Sequence, residues 1–358
     1  MSEATLERAL DFIAKNNLPN DPIDLLLLGG EPLLNKKILF KTIDIINHKY
    51  PEIKHLFRYQ MTTNGILLDD NTLKFIEDNQ IELSISIDGD RETHNLNRKS
   101  INGKDVYDII FRNMQKLLQR QMPFSVRMTA TANNVHLLSH NVRYFYELGI
   151  RKVNIGMDEL GDWDKKSLQV LDQQLELLDT YYLEYFANDE DAVLNLYDYK
   201  LSTFIFKRRP VYCSAGSKGH LVINSKGEFY PCGYVANEPL WEEGSVFTSF
   251  KRKEFLSTVR THVKKVSSCI DCDIAFTCCG AKCGFLNFSR TGFLNVNVKT
   301  TCNLQRILYN HNVKVFEELY RAYNKKIIKL LKIAMDEQIP LGEPILQIIE
   351  KVEGERGG

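Results

Sequence analysis

The segment IDLLLLGGEP, residues 23–32, decides the fold class of this chain. From Ile23 to Leu28 it is an apolar run interrupted only by Asp24, and it ends in Gly29-Gly30. Such a run, bounded by glycine, is typical of a strand buried on both faces of a parallel sheet. We therefore predict a buried parallel strand whose polar end, with Glu31, lies at the edge of the sheet.

Helix-like and strand-like patterns alternate around this segment throughout residues 1–160. The predicted helices lie near 3–15 (with Ser2 as N-cap), 36–49, 70–79, 105–120 and 137–147, and the predicted strands are 23–28, a segment ending at 61–65, 81–87, 124–132 and 153–157. Five strands alternating with helices predict a parallel α/β sheet or a partial barrel. Such folds bind their ligands at the C-terminal ends of the strands, where the glycine and polar motifs of this region fall.

Three further patterns follow beyond residue 160. Apolar positions that step by three and four between 163 and 187 predict a long one-faced helix that bridges two domains. A hairpin is predicted at 221–230, and the helices predicted after Cys302 are interrupted by Pro340 and Pro344. Four lysines form a stripe that we interpret as a solvated helix face: Lys325, Lys326, Lys329 and Lys332.

Composition places the chain among ordinary globular proteins. It has 358 residues, of which 44% are hydrophobic and 26% charged, enough for two or three domains with a sizeable core. Its 46 basic residues balance 46 acidic residues, so no net charge favours nucleic acid or an anionic membrane as partner. Residues 1–17 lack the apolar core of a signal peptide, and no run of about 18 apolar residues occurs. We expect a cytoplasmic protein that binds neither nucleic acid nor membrane.

All eight cysteines lie between Cys213 and Cys302, which indicates a localised site. In a chain without an export signal the thiols stay reduced, so metal ligation is favoured over a disulfide framework. The two-residue gap between Cys269 and Cys272 lets both thiolates reach one metal. This spacing serves zinc and iron–sulfur sites equally, and the residues alone leave both metals open.

Three strand-end motifs carry the other chemical signals: Gly29-Gly30-Glu31-Pro32, Thr62-Thr63-Asn64-Gly65, and Ser84-Ile85-Ser86-Ile87-Asp88-Gly89 followed by His94 and Arg98. In the first motif, a carboxylate beside backbone carbonyls suits an ammonium group, although Gly-Gly before proline is also a common strand-ending turn. We interpret His94 as a structural turn residue in preference to a catalytic base. The order of the motifs, one per βα unit, is more specific than any one motif.

Together with the cysteine array, these motifs closely resemble radical S-adenosylmethionine (SAM) enzymes that carry a SPASM domain, over about residues 1–305. The family's cysteine pattern fits at Cys213-x13-Gly227-x4-Cys232, at Cys269-x2-Cys272-x5-Cys278, and at Cys302. The chain departs from that pattern at Cys283, because four residues lie between Cys278 and Cys283 where the family has three. It also contains an additional Cys279.

The resemblance implies two auxiliary [4Fe-4S] clusters in the cysteine array. One would be held completely by Cys269, Cys272, Cys278 and Cys302. The other would be held by Cys213, Cys232 and Cys283, which leaves either an open iron for substrate or a fourth ligand such as Cys279. For Cys279 we slightly favour a buried small apolar residue over a ligand.

The resemblance also implies a SAM site on the first half of the chain. Gly29, Gly30, Glu31 and Pro32 would hold the methionyl amino group, and Ser86 and Arg98 would help to hold the ribose and the carboxylate. One electron from an external donor would cleave SAM, and the resulting radical would abstract a hydrogen atom from a side chain of a ribosomally made peptide or protein. The alternatives are a sulfatase-maturing relative and a non-catalytic iron–sulfur or peptide-binding partner.

One family feature has no counterpart in these 358 residues. The Cys-x3-Cys-x2-Cys loop that binds the SAM-cleaving cluster is absent, as is the strand before it, and we expect a truncated or mis-called start more than a true loss. The expected fold is therefore a partial parallel (β/α) barrel of radical SAM type lacking its first strand. Its expected parts are a barrel at 1–160, a helical bridge at 161–210, a SPASM domain at 211–305 and C-terminal helices at 306–358.

Overall fold

The computed structural model describes residues 1–100, 102–206, 215–217, 219–264, 272–278 and 283–357. Its main element is a six-stranded parallel sheet in which the strands follow one another in chain order. The strands are β1 (Ile23–Leu27), β2 (Phe57–Thr63), β3 (Glu82–Ser86), β4 (Phe124–Ala130), β5 (Lys152–Met157) and β6 (Val193–Leu194). The predicted α/β fold with an open parallel sheet is confirmed.

Helices connect the strands and cover one face of the sheet. They are α1 (Glu3–Asn16), α2 (Lys36–Lys49), α3 (Asp70–Asp78), α4 (Arg91–Asn97), α5 (Tyr107–Gln119), α6 (Leu138–Glu147), α7 (Lys165–Glu184) and α8 (Asp198–Ile205). The Ser2 side chain accepts a hydrogen bond from the Thr5 N–H and caps α1, as predicted. No helix among the described residues is long and apolar enough to cross a membrane.

The two faces of the sheet differ in polarity because side chains alternate along each strand. The outer face packs against the helices with buried apolar residues such as Leu83, Ile85 and Val126. The inner face is polar and largely uncovered: it carries Gln60, Thr62, Ser84, Ser86, Ser125, Arg127 and Asn154. An uncovered polar face has side chains available to hold a ligand, whereas the outer face holds the fold together.

Strand β1 corrects the expectation of a strand buried on both faces. Within the described residues β1 pairs only with β2, so it forms an edge of the sheet. Its inner-face Leu26 is 48% exposed and the following Leu28 is 61% exposed. A continuous apolar run therefore does not distinguish a covered central strand from an edge strand whose inner face is open.

The described part of the segment expected as a helical bridge, residues 161–206, packs on the sheet. Leu171, Leu175 and Leu178 of α7 are buried in the same apolar core as the outer face of the sheet. The chain then returns to the sheet as β6, which pairs with β5. The sequence prediction missed this sixth strand because two residues are too short to show an alternating pattern.

The Cys-rich region, which we define as residues 213–302, has little regular structure in its described part. The predicted hairpin is present as β7 (Val222–Ile223) and β8 (Phe229–Tyr230), followed by α9 (Arg252–Thr261), α10 (Ala275–Cys278) and α11 (Gly284–Thr291). Gly227 adopts a φ of +87°, and a Cβ there would approach Val246 to 2.6 Å. Only glycine fits this turn without strain. A small separate core contains Tyr230, Val235, Trp241, Phe255 and Phe285.

Three helices follow: α12 (Lys299–Arg321), α13 (Lys325–Asp336) and α14 (Glu343–Gly357). Pro340 lies between α13 and α14 as predicted, but Pro344 lies in the first turn of α14, where the helix tolerates proline. Lys326 also departs from the expected solvated stripe. Its Nζ donates to the Phe186 and Ala192 carbonyl oxygens at 2.8 and 2.7 Å and lies 3.2 Å from Asp198.

Candidate cofactor and cluster sites

Glu31 joins the loops that follow β1 and β2. It is the N-cap of the 3₁₀ turn Pro32–Asn35, and its Oε1 accepts from the Leu33 N–H at 3.0 Å. The Thr63 hydroxyl donates to the same oxygen at 2.7 Å, and the Asn64 N–H donates to Oε2 at 2.7 Å. Glu31 thus positions two strand ends through three hydrogen bonds, and Oε2 keeps capacity for another donor.

Gly29 and Gly30 leave space beside the backbone at the end of β1. Both are exposed, a Cβ on Gly30 would meet no atom within 4 Å, and a Cβ on Gly29 would meet only the Glu31 nitrogen, at 4.0 Å. Neither glycine is in the left-handed region, so backbone strain does not require them. The absence of side chains here leaves room for a ligand to approach the carbonyl groups and the Glu31 carboxylate.

Arg98 is held by a buried carboxylate that follows β3. Its Nε and Nη2 donate to Asp88 Oδ2 and Oδ1 at 2.8 and 3.0 Å, and Nη2 also lies 3.3 Å from the Thr129 hydroxyl. The Thr129 N–H donates to Asp88 Oδ1 at 2.9 Å. Asp88 belongs to the third strand-end motif, but no pattern in the sequence indicated it as a site residue. Helix α4 lies between Asp88 and Arg98 in the chain, so their spacing does not predict the contact.

His94 is fully buried beside this pair and supports the turn. Its Nδ1 accepts from the Asp88 N–H at 3.4 Å, whereas Nε2 has no partner among the described residues. Burial is the main cause that lowers the pKa of His94 to about 4; Asp88 opposes this shift and Arg98 adds to it. A neutral, buried imidazole agrees with the interpretation of His94 as a structural residue.

Asn95 accepts a hydrogen bond at the start of α5: its Oδ1 receives the Tyr107 N–H at 3.4 Å. Gly89 is needed for close approach of another side chain. Its φ is +150°, and a Cβ there would meet Asn141 Oδ1 at 2.1 Å. Because Asn141 Oδ1 accepts from the Asp90 N–H at 3.0 Å, the contact fixes the loop that carries Asp88.

Ser86 is the last residue of β3 and lies on the inner face, in register with Arg127. Its hydroxyl makes no hydrogen bond with another described residue, in contrast to Ser84, which accepts from Ser125 at 3.0 Å. The C-terminal ends of β1 to β4 thus gather the SAM-side residues of the sequence prediction. We call these ends the strand-end rim: residues 28–35, 63–66, 86–98 and 129–131.

Five of the eight cysteines lie in described residues, whereas Cys213, Cys269 and Cys279 lie outside them. Cys232 caps the turn Gly233–Val235, and the Tyr234 N–H lies 3.4 Å from its sulfur. Backbone donation of this kind stabilises a thiolate. Within the described ranges no three Cys, His, Asp or Glu side chains are gathered as a metal site.

The described cysteines nevertheless fall into two neighbourhoods. Burial, then the Cys283 and Cys232 sulfurs, raise the pKa of Tyr234, so both sulfurs lie near its phenol. Arg306 pairs with Asp273 at 2.8 Å, lies 4.0 Å from the Cys272 sulfur and also interacts with Cys302. Cys232 and Cys283 thus share one phenol as neighbour, and Cys272 and Cys302 share one guanidinium.

Comparisons with known proteins agree with this architecture. Residues 3–136 match the family model described as the Radical SAM superfamily. The chain is 27% identical over 247 residues to a cysteine-type anaerobic sulfatase-maturating enzyme of Clostridium perfringens (strain 13 / Type A). That match covers 65% of this chain and 65% of the relative, so the chain spans about two thirds of the length of the curated relatives.

Two solved structures show the same fold. Native anSMEcpe with bound AdoMet and Cp18Cys peptide superposes with a TM-score of 0.72 at 20% identity, covering 93% of this chain and 92% of that one. Streptococcus suis SuiB bound to the precursor peptide SuiA gives a TM-score of 0.58 at 15% identity, covering 83% and 68%. The likeness extends beyond the residues that the family model matches and includes the Cys-rich region.

Proposed function

Residues 3–136 match the model of the radical SAM superfamily, and on that premise we propose that the chain modifies a side chain of a ribosomally made peptide or protein by hydrogen abstraction. The observation that carries this proposal is the position of Glu31, Ser86 and Arg98 on one rim, at the C-terminal ends of the parallel strands. A rim of this kind is where parallel α/β folds bind their ligands.

We propose that SAM occupies the strand-end rim, and the residues present fit it. Open space beside Gly29 and Gly30 and the remaining acceptor capacity of Glu31 suit the ammonium group. The guanidinium of Arg98 suits the carboxylate, and the Ser86 hydroxyl suits the ribose. When bound and reduced by one electron, SAM supplies the radical that removes a hydrogen atom from the substrate.

We also propose that the Cys-rich region holds two auxiliary [4Fe-4S] clusters. The separate neighbourhoods of Cys232 with Cys283 and of Cys272 with Cys302 support the two ligand sets. Cys278, which is expected in the same ligand set as Cys272 and Cys302, is buried on α10. Cys213 and Cys269 would complete the ligation as the family resemblance implies. An external electron donor would serve the reaction.

The proposed substrate is a peptide, which the inner face of the sheet can accommodate because its polar side chains are uncovered. Two structural neighbours bind peptides, Cp18Cys and SuiA, which supports this substrate class. A second candidate is maturation of a sulfatase, since curated relatives of this chain include anaerobic sulfatase-maturating enzymes. A non-catalytic iron–sulfur or peptide-binding partner is the remaining alternative.

The test of this function is SAM cleavage after anaerobic cluster reconstitution, measured as 5′-deoxyadenosine formed with dithionite. All eight cysteines fall at 213–302, so we expect no cleavage by the 358-residue chain itself. A version extended before Met1 by a strand and a Cys-x3-Cys-x2-Cys loop should cleave SAM, because three thiolates leave one iron vacant for it. Multiple turnover by the 358-residue chain, or an extended chain that binds the third cluster without cleaving SAM, would contradict the proposal.

The substrate is tested separately with the extended chain and synthetic peptides. A sulfatase peptide carrying the target cysteine should lose mass if the second candidate is right. A precursor peptide of the SuiA kind should instead change in mass if the chain modifies other side chains. SAM cleavage without modification of either peptide would contradict both substrate candidates.

A further inference from the structure

Asp88 is a buried carboxylate whose only cationic partner among the described residues is Arg98. The Asp88 side chain is 2% exposed, whereas the Arg98 side chain is 35% exposed. The pair therefore presents the outer part of the guanidinium, and not the carboxylate, to the rim. The Thr129 N–H, donating to Asp88 at 2.9 Å, fixes the carboxylate against β4.

The hydrogen bonds of Arg98 leave one edge of its guanidinium available. A guanidinium has five N–H donors in a planar fork. Asp88 receives one donor from Nε and one from Nη2, and the Thr129 hydroxyl lies 3.3 Å from Nη2. Nη1 makes no hydrogen bond with a described residue, so its two donors are directed away from Asp88.

We propose that Asp88 is a positioning residue for SAM, which orients Arg98 so that its Nη1 edge receives the methionyl carboxylate. This inference rests on the proposed SAM site. A long arginine side chain loses rotamer freedom when it binds a ligand, and the bidentate contact with Asp88 removes that freedom beforehand. Thr129 on β4 acts in the same way: its hydroxyl contacts the Arg98 guanidinium, and its N–H holds the Asp88 carboxylate.

The charge of Asp88 makes the proposal falsifiable by sign. As a charge alone, Asp88 repels an incoming carboxylate and neutralises Arg98, so its removal should strengthen SAM binding. As a positioning group, Asp88 should strengthen SAM binding, and its removal should weaken it. The substitution Asp88→Asn keeps the size of the side chain and removes the charge, so the two roles give opposite results.

The test is calorimetric titration of the 358-residue protein with SAM and with 5′-methylthioadenosine, which lacks the amino acid part. We expect Asp88→Asn to weaken SAM binding about tenfold and to leave 5′-methylthioadenosine within about twofold. Asp70→Asn is the matched control, because Asp70 lies on α3 outside the rim and pairs with Arg120 without touching Arg98. Its affinity for both ligands should equal that of the wild type.

Thr129→Val provides a second variant that keeps the backbone N–H and removes only the hydroxyl. It should weaken SAM binding about threefold and spare 5′-methylthioadenosine, so the proposal can be judged even if Asp88→Asn does not fold. SAM binding by Asp88→Asn that equals or exceeds the wild type would overturn the positioning role, and so would equal weakening of both ligands. Failure of the wild type to bind SAM would overturn the proposed SAM site and this inference together.

Discussion

The strand-end rim and the Cys-rich region are built by different means. At the rim, the side chains that would hold SAM are fixed by the chain's own hydrogen bonds: Glu31 accepts three, and Asp88 accepts three from Arg98 and Thr129. The described part of the Cys-rich region has two strands of two residues each and a small core around Trp241. The rim is held by its own hydrogen bonds, whereas we propose that the Cys-rich region depends on the proposed clusters to fold.

The cores of the two regions make the same contrast. The main core of the sheet extends from α2 to α14, while Leu6 and Leu10 of α1 pack in a second apolar cluster with Ile46 and Phe57. In the Cys-rich region, Trp241 is fully buried between Phe285 and Phe288, each with its ring centroid 5.0 Å away. A core of this size stabilises few residues, so cross-linking by clusters would supply the missing stability.

Loss of a cluster should have the largest effect and should be confined to one region. The anaerobically reconstituted protein should hold about eight iron atoms with equal sulfide, and Cys272→Ala should lower both to about four. Proteolysis of that variant should begin within residues 269–302 while the barrel part resists. The measurements are iron and sulfide analysis and mapping of the first cleavage sites.

The matched control for Cys272 is Cys279→Ala, which should retain all the iron if Cys279 is a small apolar residue. Stoichiometric zinc without sulfide in the wild type would contradict the cluster assignment. Cleavage that begins equally in the barrel part of Cys272→Ala would contradict the difference between the two regions.

Removal of Glu31 should have the next largest effect, because three donors lose their acceptor at once. We expect Glu31→Ala to lower the free energy of unfolding by about 2 kcal/mol and to weaken SAM binding about tenfold. Urea denaturation and calorimetry measure the two effects. Glu77→Ala is the control, since Glu77 is an exposed carboxylate on α3. If both variants behave alike, Glu31 does not join the two loops.

Acid should destabilise the rim through His94. Burial lowers its pKa to about 4 in the folded protein, below the usual value of 6.5. The unfolded chain therefore binds a proton first as the pH falls, and stability is lost between about pH 6.5 and pH 4. From pH 7 to pH 5 the loss due to His94 should be about 2 kcal/mol, absent from His94→Asn. Urea denaturation at both pH values checks this; an equal loss in both proteins would contradict it.

His311 should give a smaller effect of opposite sign where α12 packs on α7. Burial opposes charging, but the contacts of its ring with Asp179 and Asp172, at 2.7 and 3.1 Å, raise the pKa of His311 overall. Its contribution is therefore present at low pH and is lost as the pH rises through the raised folded value. We expect His311→Gln to cost about 1 kcal/mol more at pH 6 than at pH 9.

The control for His311 is His136→Gln, because His136 is exposed. Urea denaturation of both variants at the two pH values gives the comparison. A cost for His311→Gln that is the same at pH 6 and pH 9 would mean that the ring is held by packing and not by its charge.

The sequence predicted the regular elements of the barrel well because hydrophobic periodicity is local. Each predicted strand of the first 160 residues is present within a few residues of its expected bounds, and α2 matches 36–49 at both ends. It did not predict that β1 is an edge strand or that Val193–Leu194 joins the sheet, because the coverage of a strand and the pairing of two residues are decided by distant parts of the chain.

The contacts of the candidate site could not be predicted from the sequence. The motifs indicate Glu31 and Arg98, yet the side chains that fix these two residues are Thr63 and Asp88, which lie in other loops. Lys326 shows the same limit: its place in a charged stripe indicated solvent, but it donates to two carbonyl oxygens. Hydrogen bonds between segments that are distant in sequence leave no periodic signal.

The most direct test of the contrast between the two regions is SAM affinity with and without iron. Calorimetry should give dissociation constants within about threefold for the metal-free and the cluster-loaded protein, because the rim is fixed by its own hydrogen bonds and no cysteine lies near it in the sequence. Arg98→Ala should abolish measurable binding in both forms. Binding of SAM by the loaded form alone, or binding by Arg98→Ala equal to the wild type, would contradict the account.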